Sequence, residues 1–258
     1  MGSGWLGLPL ARRFAQRDYR VKTSTTSPER LAELEGIPSE AHVVDLRQPL
    51  EDIDAFLQSE ILIVNITSKD IDAFTDLVRR IESSAIEKVL FVSSTSVYPV
   101  KNQTASEDLN QESPEHPLVI IENLFRGSTA FQTTVVRFAG LIGGNRHPGR
   151  FFRGGKTVKN PDANVNLIHL DDCIDIIERI VTGGVWGETF NACADTHPSK
   201  REYYSWAASN AGMPAPDFEN AEASSFKIID NRKLKRVLGY EFKHPDLMAI
   251  RFDQPDDV

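Results

Sequence analysis

Gly2-Ser3-Gly4-Trp5-Leu6-Gly7 opens the chain and runs directly into Leu8-Pro9-Leu10-Ala11-Arg12-Arg13-Phe14-Ala15. The first stretch has the spacing G-x-G-x-x-G, and the second reads as a helix. In such a loop the first glycine makes a tight turn, the second lets the backbone approach a pyrophosphate, and the third lets the helix pack on a sheet. The helix N-terminus then holds the anion through its free N–H groups and dipole. A flexible glycine terminus would spell the same letters. The motif therefore needs a strand before it and a helix after it, and here only the helix is present.

The downstream chain supplies the context. Residues 19–25 are rich in β-branched side chains and predict a strand. Ser27-Pro28 then opens a helix, with Ser27 as N-cap and Pro28 at the first helical position. Strands are predicted at 41–45, 60–66, 88–94, 133–138 and 189–192 from their short apolar runs. Helices are predicted at 70–83, 172–181, 200–211 and 229–238, with Gly239 as the C-cap of the last. Strands alternating with helices mean a parallel, doubly wound α/β sheet, which binds ligands at the carboxyl ends of its strands. The first strand of such a sheet is central and precedes the glycine loop. Because this sequence begins on the loop, the expectation is that the residues forming that strand are missing upstream of Met1.

The chain has 258 residues, 40% hydrophobic and 26% charged, enough for a buried core and incompatible with bulk disorder. Its net charge of −8 argues against a nucleic-acid partner. No apolar run approaches the ~20 residues of a membrane helix. Two cysteines, Cys173 and Cys193, make no disulfide framework, so the reducing cytoplasm is the expected compartment. The tail at 253–258 is acidic and expected to fray.

The strand-end residues carry a resemblance. Gly2 to Gly7, Val92-Ser93-Ser94-Thr95-Ser96-Val97-Tyr98, Arg137-Phe138-Ala139-Gly140-Leu141-Ile142-Gly143, Ile168-His169-Leu170-Asp171-Asp172, and Asn231-Arg232-Lys233-Leu234 through Gly239-Tyr240 stand in order along the chain. Together they resemble the extended short-chain dehydrogenase/reductase superfamily, in its atypical branch of nucleoside-diphosphate-sugar-epimerase-like (YeeZ-like) proteins. The resemblance implies a Rossmann-type core over 1–140. It also implies a small C-terminal substrate lobe with the remaining sheet edge over 141–258, the two forming one compact unit.

By that resemblance Gly2, Gly4, Trp5, Leu6 and Gly7 bind a dinucleotide. Thr25 and Thr26 stand where the second strand selects the cofactor. No carboxylate lies at that tip and Arg30 follows, which leans the expectation towards NADP over NAD. Asp45 and Leu46 would lie beside the adenine, although a turn explains Asp45 equally well. Asn65, Ile66, Thr67 and Ser93 would line the ribose and diphosphate. Ser94 takes the place of the family's carbonyl-binding hydroxyl, and Tyr98 is a second catalytic candidate. Thr95 and Ser96 replace the acidic pair of the dehydratase relatives. The family's Y-x-x-x-K falls on Pro114 and Leu118, which can neither donate a proton nor tune a phenol. Glu115 and His116 are nearby but lack the spacing.

On the substrate side the candidates are Thr95, Arg137, Arg146 and His169. For Arg137 a salt bridge to a neighbouring loop is the competing explanation. Arg146, Arg150, Arg153, Lys156 and Lys159 form a basic loop suited to an anionic substrate, or to surface ion pairs. Asp171 or Asp172 is expected to cap a helix. No metal site is expected, because His169 has no cysteine or second histidine near it in sequence. Two readings follow: an NAD(P)-dependent enzyme acting on a nucleotide-sugar or similar polar substrate, or an NADP(H)-binding sensor without turnover. Relatives pair through helices that correspond to 71–83 and 118–126, which implies a homodimer.

Overall fold

The structure is a computed structural model and describes residues 1–252, apart from 38, 51, 52, 153, 155 and 221–224. Arg153 of the basic loop and the 253–258 tail lie outside the described residues. In chain order the elements are α1 (Gly7–Ala15), β1 (Val21–Thr25), α2 (Leu31–Glu35), β2 (Ser39–Val43), β3 (Ile61–Val64), α3 (Ile71–Glu82), β4 (Lys88–Ser94), β5 (Gln103–Ala105), α4 (Pro117–Gly127), β6 (Gln132–Phe138), β7 (Gly140–Ile142), β8 (Leu167–His169), α5 (Leu170–Gly183), β9 (Thr189–Ala192), α6 (Lys200–Asn210), β10 (Lys227–Ile229) and α7 (Arg232–Leu238).

The chain divides into two units whose segments interleave. Unit 1 comprises Met1–Val97, Glu112–Arg137 and Ile176–Phe190; unit 2 comprises Tyr98–Gln111, Phe138–Asp175 and Asn191–Val258. Sheet order is β1-β2 in one sheet and β3-β4-β6-β9 in another, with β5-β10 and β7-β8 as two-stranded pairs. The β1–β2, β3–β4, β5–β10 and β7–β8 pairs all run parallel, as alternating strands and helices require. Among the described residues no strand separates β1 from β3. Residues 1–3 bond to both sides there. The Met1 amino group donates to the Ile63 carbonyl at 2.6 Å, the Asn65 amide to the Met1 carbonyl at 3.0 Å, and the Ser3 amide to the Ser24 carbonyl at 3.0 Å. Beside them is a cavity of about 480 Å³ lined by Phe14, Val21, Phe56 and Ile61, among others.

In unit 1, β4 is a continuous apolar run because both faces are covered. Phe91 stacks on Phe125 of α4 at 4.9 Å between centroids and meets Phe74 of α3 edge-on at 5.9 Å. The apolar spacing of α3 buries Phe74, Leu77, Val78 and Ile81, and its N-cap Asp70 accepts from the Ala73 amide at 3.1 Å. Ser27 behaves differently from its expected capping role. Pro28 begins a short 3-10 turn, and the Ser27 hydroxyl donates to the Glu29 carboxylate instead of accepting from a backbone amide of the turn.

In unit 2, Ile142, Val165, Leu167, Ala194, Tyr203, Leu247 and Ile250 form the core. Helix α6 starts with a reciprocal capping box: the Glu202 amide donates to the Ser199 hydroxyl at 3.2 Å, and the Ser199 amide donates to the Glu202 carboxylate at 2.9 Å. Ser199→Ala is expected to cost about 1 kcal/mol in equilibrium urea unfolding; an unchanged midpoint and slope would contradict that role. Ile229 lies in β10 rather than in the expected helix, which begins at Arg232 and ends on left-handed Gly239 (φ 57°).

Candidate functional site

In unit 1 the glycine loop is shaped by its neighbours. Gly2 has φ +88°, and a Cβ there would overlap the Asn65 carbonyl oxygen; a Cβ on Gly7 would overlap the Gly2 carbonyl oxygen. Both positions therefore need glycine for the loop to close. Gly4 differs. It is exposed, and a Cβ there would meet nothing within 4 Å. The protein itself makes no demand for glycine at this position. The space is left beside backbone that leads straight into α1, where anions bind. Ser24 anchors the loop by accepting from the Gly2 amide at 3.0 Å through its hydroxyl. The buried Ser3 hydroxyl has no hydrogen-bond partner among the described residues. An orphaned donor and an open cradle both fit a phosphate-bearing group.

The other expected cofactor residues divide into two sets. Trp5 is half-buried and Leu6 is buried beneath the loop. Asn65 and Ile66 pack against Gly2, and Thr67 is exposed just beyond them. Thr25 is buried, its hydroxyl accepting from the Ser27 amide at 3.3 Å, while Thr26 is exposed. The Arg30 guanidinium reaches the Ser3 carbonyl at 3.4 Å, which puts a cation against the loop. Asp45 closes a turn: its carboxylate accepts from the Arg47 amide at 3.0 Å and pairs with the Arg47 guanidinium at 2.6 Å. These bonds hold the Asp45 carboxyl down at about 2. Leu46 is a half-buried residue of the same turn.

Alternation along β4 sends Ser93 and Ser94 to opposite faces. Ser93 faces the core, where its hydroxyl is engaged by the Glu122 carboxylate at 2.6 Å rather than turned to the strand end. Ser94 is half-buried and accepts from the Ser96 amide at 3.1 Å, at the carboxyl end of the strand where a ligand binds. Thr95 is buried. Arg137 is 1% exposed, with Nη2 at 2.6 Å from the Glu122 carboxylate and at 3.3 Å from that of Glu112. Of its two readings the structure shows the salt bridge. A guanidinium buried and held by carboxylates is not presented to substrate. His116 caps α4, accepting from the Leu118 amide at 3.2 Å; Leu118 is buried, and Pro114 and Glu115 are exposed.

In unit 2, Tyr98 corrects its expected role as a catalytic candidate. It is 1% exposed and its hydroxyl donates to Asn191 at 3.0 Å, a buried core bond. Arg146 is exposed on a tight turn closed by bonds with Gly143 at 3.0 and 3.2 Å. Lys159 pairs with Glu219 at 3.9 Å. Asp172 does not cap α5. It is fully buried and accepts from the Tyr240 hydroxyl and the Lys243 amide, both at 2.7 Å. His169 takes the capping role, its Nδ1 accepting from the Asp171 amide at 3.2 Å. A second histidine does lie near it. His244 arrives from far downstream, its ring centroid 3.9 Å from that of His169, a proximity that local spacing could not reveal. The two cysteines are buried and free, and burial pushes both thiols up, which leaves neither suited to act as a nucleophile.

No protein-family model matches the chain. Protein YeeZ of Escherichia coli strain K12 is 31% identical over 272 aligned positions, covering 97% of each protein. Among solved structures, a functionally unknown conserved protein from Silicibacter pomeroyi superposes with a TM-score of 0.77 at 19% identity, covering 96% of this chain and 94% of that one. MoeE5 in complex with UDP-glucose and NAD superposes at 0.76 with 17% identity, covering 93% and 91%. UDP-glucuronic acid 4-epimerase from Bacillus cereus in complex with NAD superposes at 0.75 with 17% identity, covering 95% and 92%. At these identities the structural likeness establishes the Rossmann-type fold. No described helix is long and apolar enough to cross a membrane.

Proposed function

This chain belongs to the YeeZ-like family of nucleoside-diphosphate-sugar-epimerase-like proteins, and from that premise we propose that it binds a nicotinamide dinucleotide on the glycine loop of unit 1 and acts on a nucleotide-sugar or a similar small polar molecule. The observation that carries this reading is the open space over Gly4, beside two glycines that the backbone itself requires. The loop amides and the α1 N-terminus would hold the diphosphate, with Asn65, Ile66 and Thr67 alongside. When bound, the dinucleotide supplies hydride acceptance or donation. Ser94 would hold the reacting oxygen through its hydroxyl.

NADP is the cofactor we favour. Arg30 lies against Ser3, and the end of β1 carries hydroxyls with no carboxylate to bind a ribose. Arg30→Ala is expected to weaken NADP binding about tenfold and to leave NAD binding nearly unchanged. Equal effects on both cofactors in parallel titrations would contradict this assignment.

A second reading, a cofactor sensor without turnover, is favoured by one specific pattern. Pro114 and Leu118 replace the family's tyrosine and lysine, Tyr98 is buried on Asn191, and His116 is used as a cap. Incubating the NADPH- or NADP-saturated protein with a panel of UDP- and dTDP-sugars separates the readings. Product formation or a change in nicotinamide absorbance supports the enzyme. Tight cofactor binding with no turnover of any sugar nucleotide supports the sensor, and absence of dinucleotide binding overturns both.

A further inference from the structure

We propose that His169, Asp171 and His244, all in unit 2, form a binding site for a divalent transition-metal ion of the zinc class. The three residues converge on one carboxylate oxygen. His169 Nδ1 lies 3.3 Å and His244 Nε2 lies 3.1 Å from Asp171 Oδ2. One ligand atom from each residue falls within 4.8 Å of the others. Zinc–nitrogen and zinc–oxygen bonds are about 2.0–2.2 Å, so two ligands on a tetrahedral ion stand about 3.3–3.5 Å apart. Both distances to Asp171 come within a few tenths of an ångström of that spacing. Two of the three ligand spacings thus already match those around a bound ion.

The protonation pattern agrees with the spacing. The Asp171 amide donates to His169 Nδ1, so that nitrogen carries a lone pair and no proton. Its lone pair and the Asp171 carboxylate oxygen sit 3.3 Å apart. Two electron-rich atoms at that distance repel unless a cation lies between them. A bound ion would exchange the amide hydrogen bond for a metal bond on a nitrogen already in the ligating tautomer.

Buried hydrogen bonds frame the cluster. Buried Asp172 accepts from the Tyr240 hydroxyl and the Lys243 amide at 2.7 Å and from the His244 amide at 3.2 Å, which pins His244 against the start of α5. The Lys243 ammonium is drawn to Asp175 at 2.6 Å, so its charge is directed to another carboxylate. Behind His169, Gly143 has φ +98°, and a Cβ there would collide with the imidazole. Asp171 is 52% exposed, which opens one side of the cluster to a water as fourth ligand. Two imidazoles and one carboxylate suit Zn²⁺ or Co²⁺ over Mg²⁺ or Ca²⁺, which prefer all-oxygen shells. The inference does not depend on dinucleotide binding, because every residue in it belongs to unit 2.

Titrating the metal-free full-length protein with Co²⁺ and following its visible absorption tests the site. The expected result is one equivalent of tightly bound Co²⁺ with the intense bands of a low-coordinate ion, bleached by Zn²⁺, and Zn²⁺ raising the melting temperature. His244→Ala and Asp171→Asn are each expected to weaken binding at least about tenfold. His197→Ala, which alters another unit 2 histidine, should leave it unchanged. If His244→Ala fails to fold, the exposed Asp171→Asn variant decides alone. Absence of saturable Co²⁺ binding by the wild-type protein, or equal affinity in the wild-type and Asp171→Asn proteins, would overturn the proposal.

Discussion

Arg137→Met is expected to lower the unfolding free energy by about 3–5 kcal/mol, measured by urea denaturation. The reason lies in what remains behind. Glu122 is fully buried, and its carboxylate accepts from Arg137 Nε at 3.0 Å, Arg137 Nη2 at 2.6 Å and the Ser93 hydroxyl at 2.6 Å. Removing the guanidinium leaves a carboxylate inside unit 1 with a single hydroxyl as partner among these three bonds. Burying a charge without its counter-ion costs more than the pair itself contributes. The double variant Arg137→Met with Glu122→Leu should therefore recover much of the loss. If the single and double variants were equally unstable, packing rather than charge would be the cause. A loss under about 1 kcal/mol in the single variant would mean the pair is solvated.

Gly7→Ala is expected to destabilise by about 1–3 kcal/mol and to abolish dinucleotide binding. Its Cβ would overlap the Gly2 carbonyl oxygen, and Gly2 is confined in turn by the Asn65 carbonyl. The loop must move, and with it the amides that would face the diphosphate. Gly4→Ala is the informative contrast. It meets no atom of the protein, so its stability should stay within about 0.5 kcal/mol of wild type, while its affinity for the dinucleotide falls. Thermal melts and titrations on the two variants check both halves. A Gly7→Ala protein that melts and binds like wild type would refute the loop geometry.

The parts of the fold read from local pattern were those where burial follows local pattern. Strand 88–94 and the helix near 70–83 stand where their apolar spacing predicts them, because each buries its apolar residues in unit 1, where Phe74 meets Phe91. Ile229 is strand rather than helix for the opposite reason. Its strand exists through pairing with β5, in the register Ile229↔Ala105, and nothing in its own sequence announces that partner. The site divides the same way. The glycines are legible because their G-x-G-x-x-G spacing is contiguous in sequence, although the atom that demands glycine at position 2 is the distant Asn65 carbonyl. Ser93 and Ser94 could be named but not sorted until the strand's alternation assigned them to faces. Arg137 and Tyr98 carry polar groups that resemble site residues. Only the approach of Glu122 and Asn191 across the fold shows their polar atoms engaged in the interior. His244 was invisible because a contact spanning so much sequence leaves no spacing to read.

The most direct test of dinucleotide binding on the glycine loop is calorimetric titration of NADPH and NADH into the intact protein, beside the Gly4→Glu variant. The expected result is saturable one-to-one binding by the wild-type protein and an affinity lower by more than about tenfold in Gly4→Glu, whose carboxylate would stand in the space proposed for the diphosphate, with an unchanged melting temperature. Equal affinity in the two proteins, or no binding by the wild type, would contradict it.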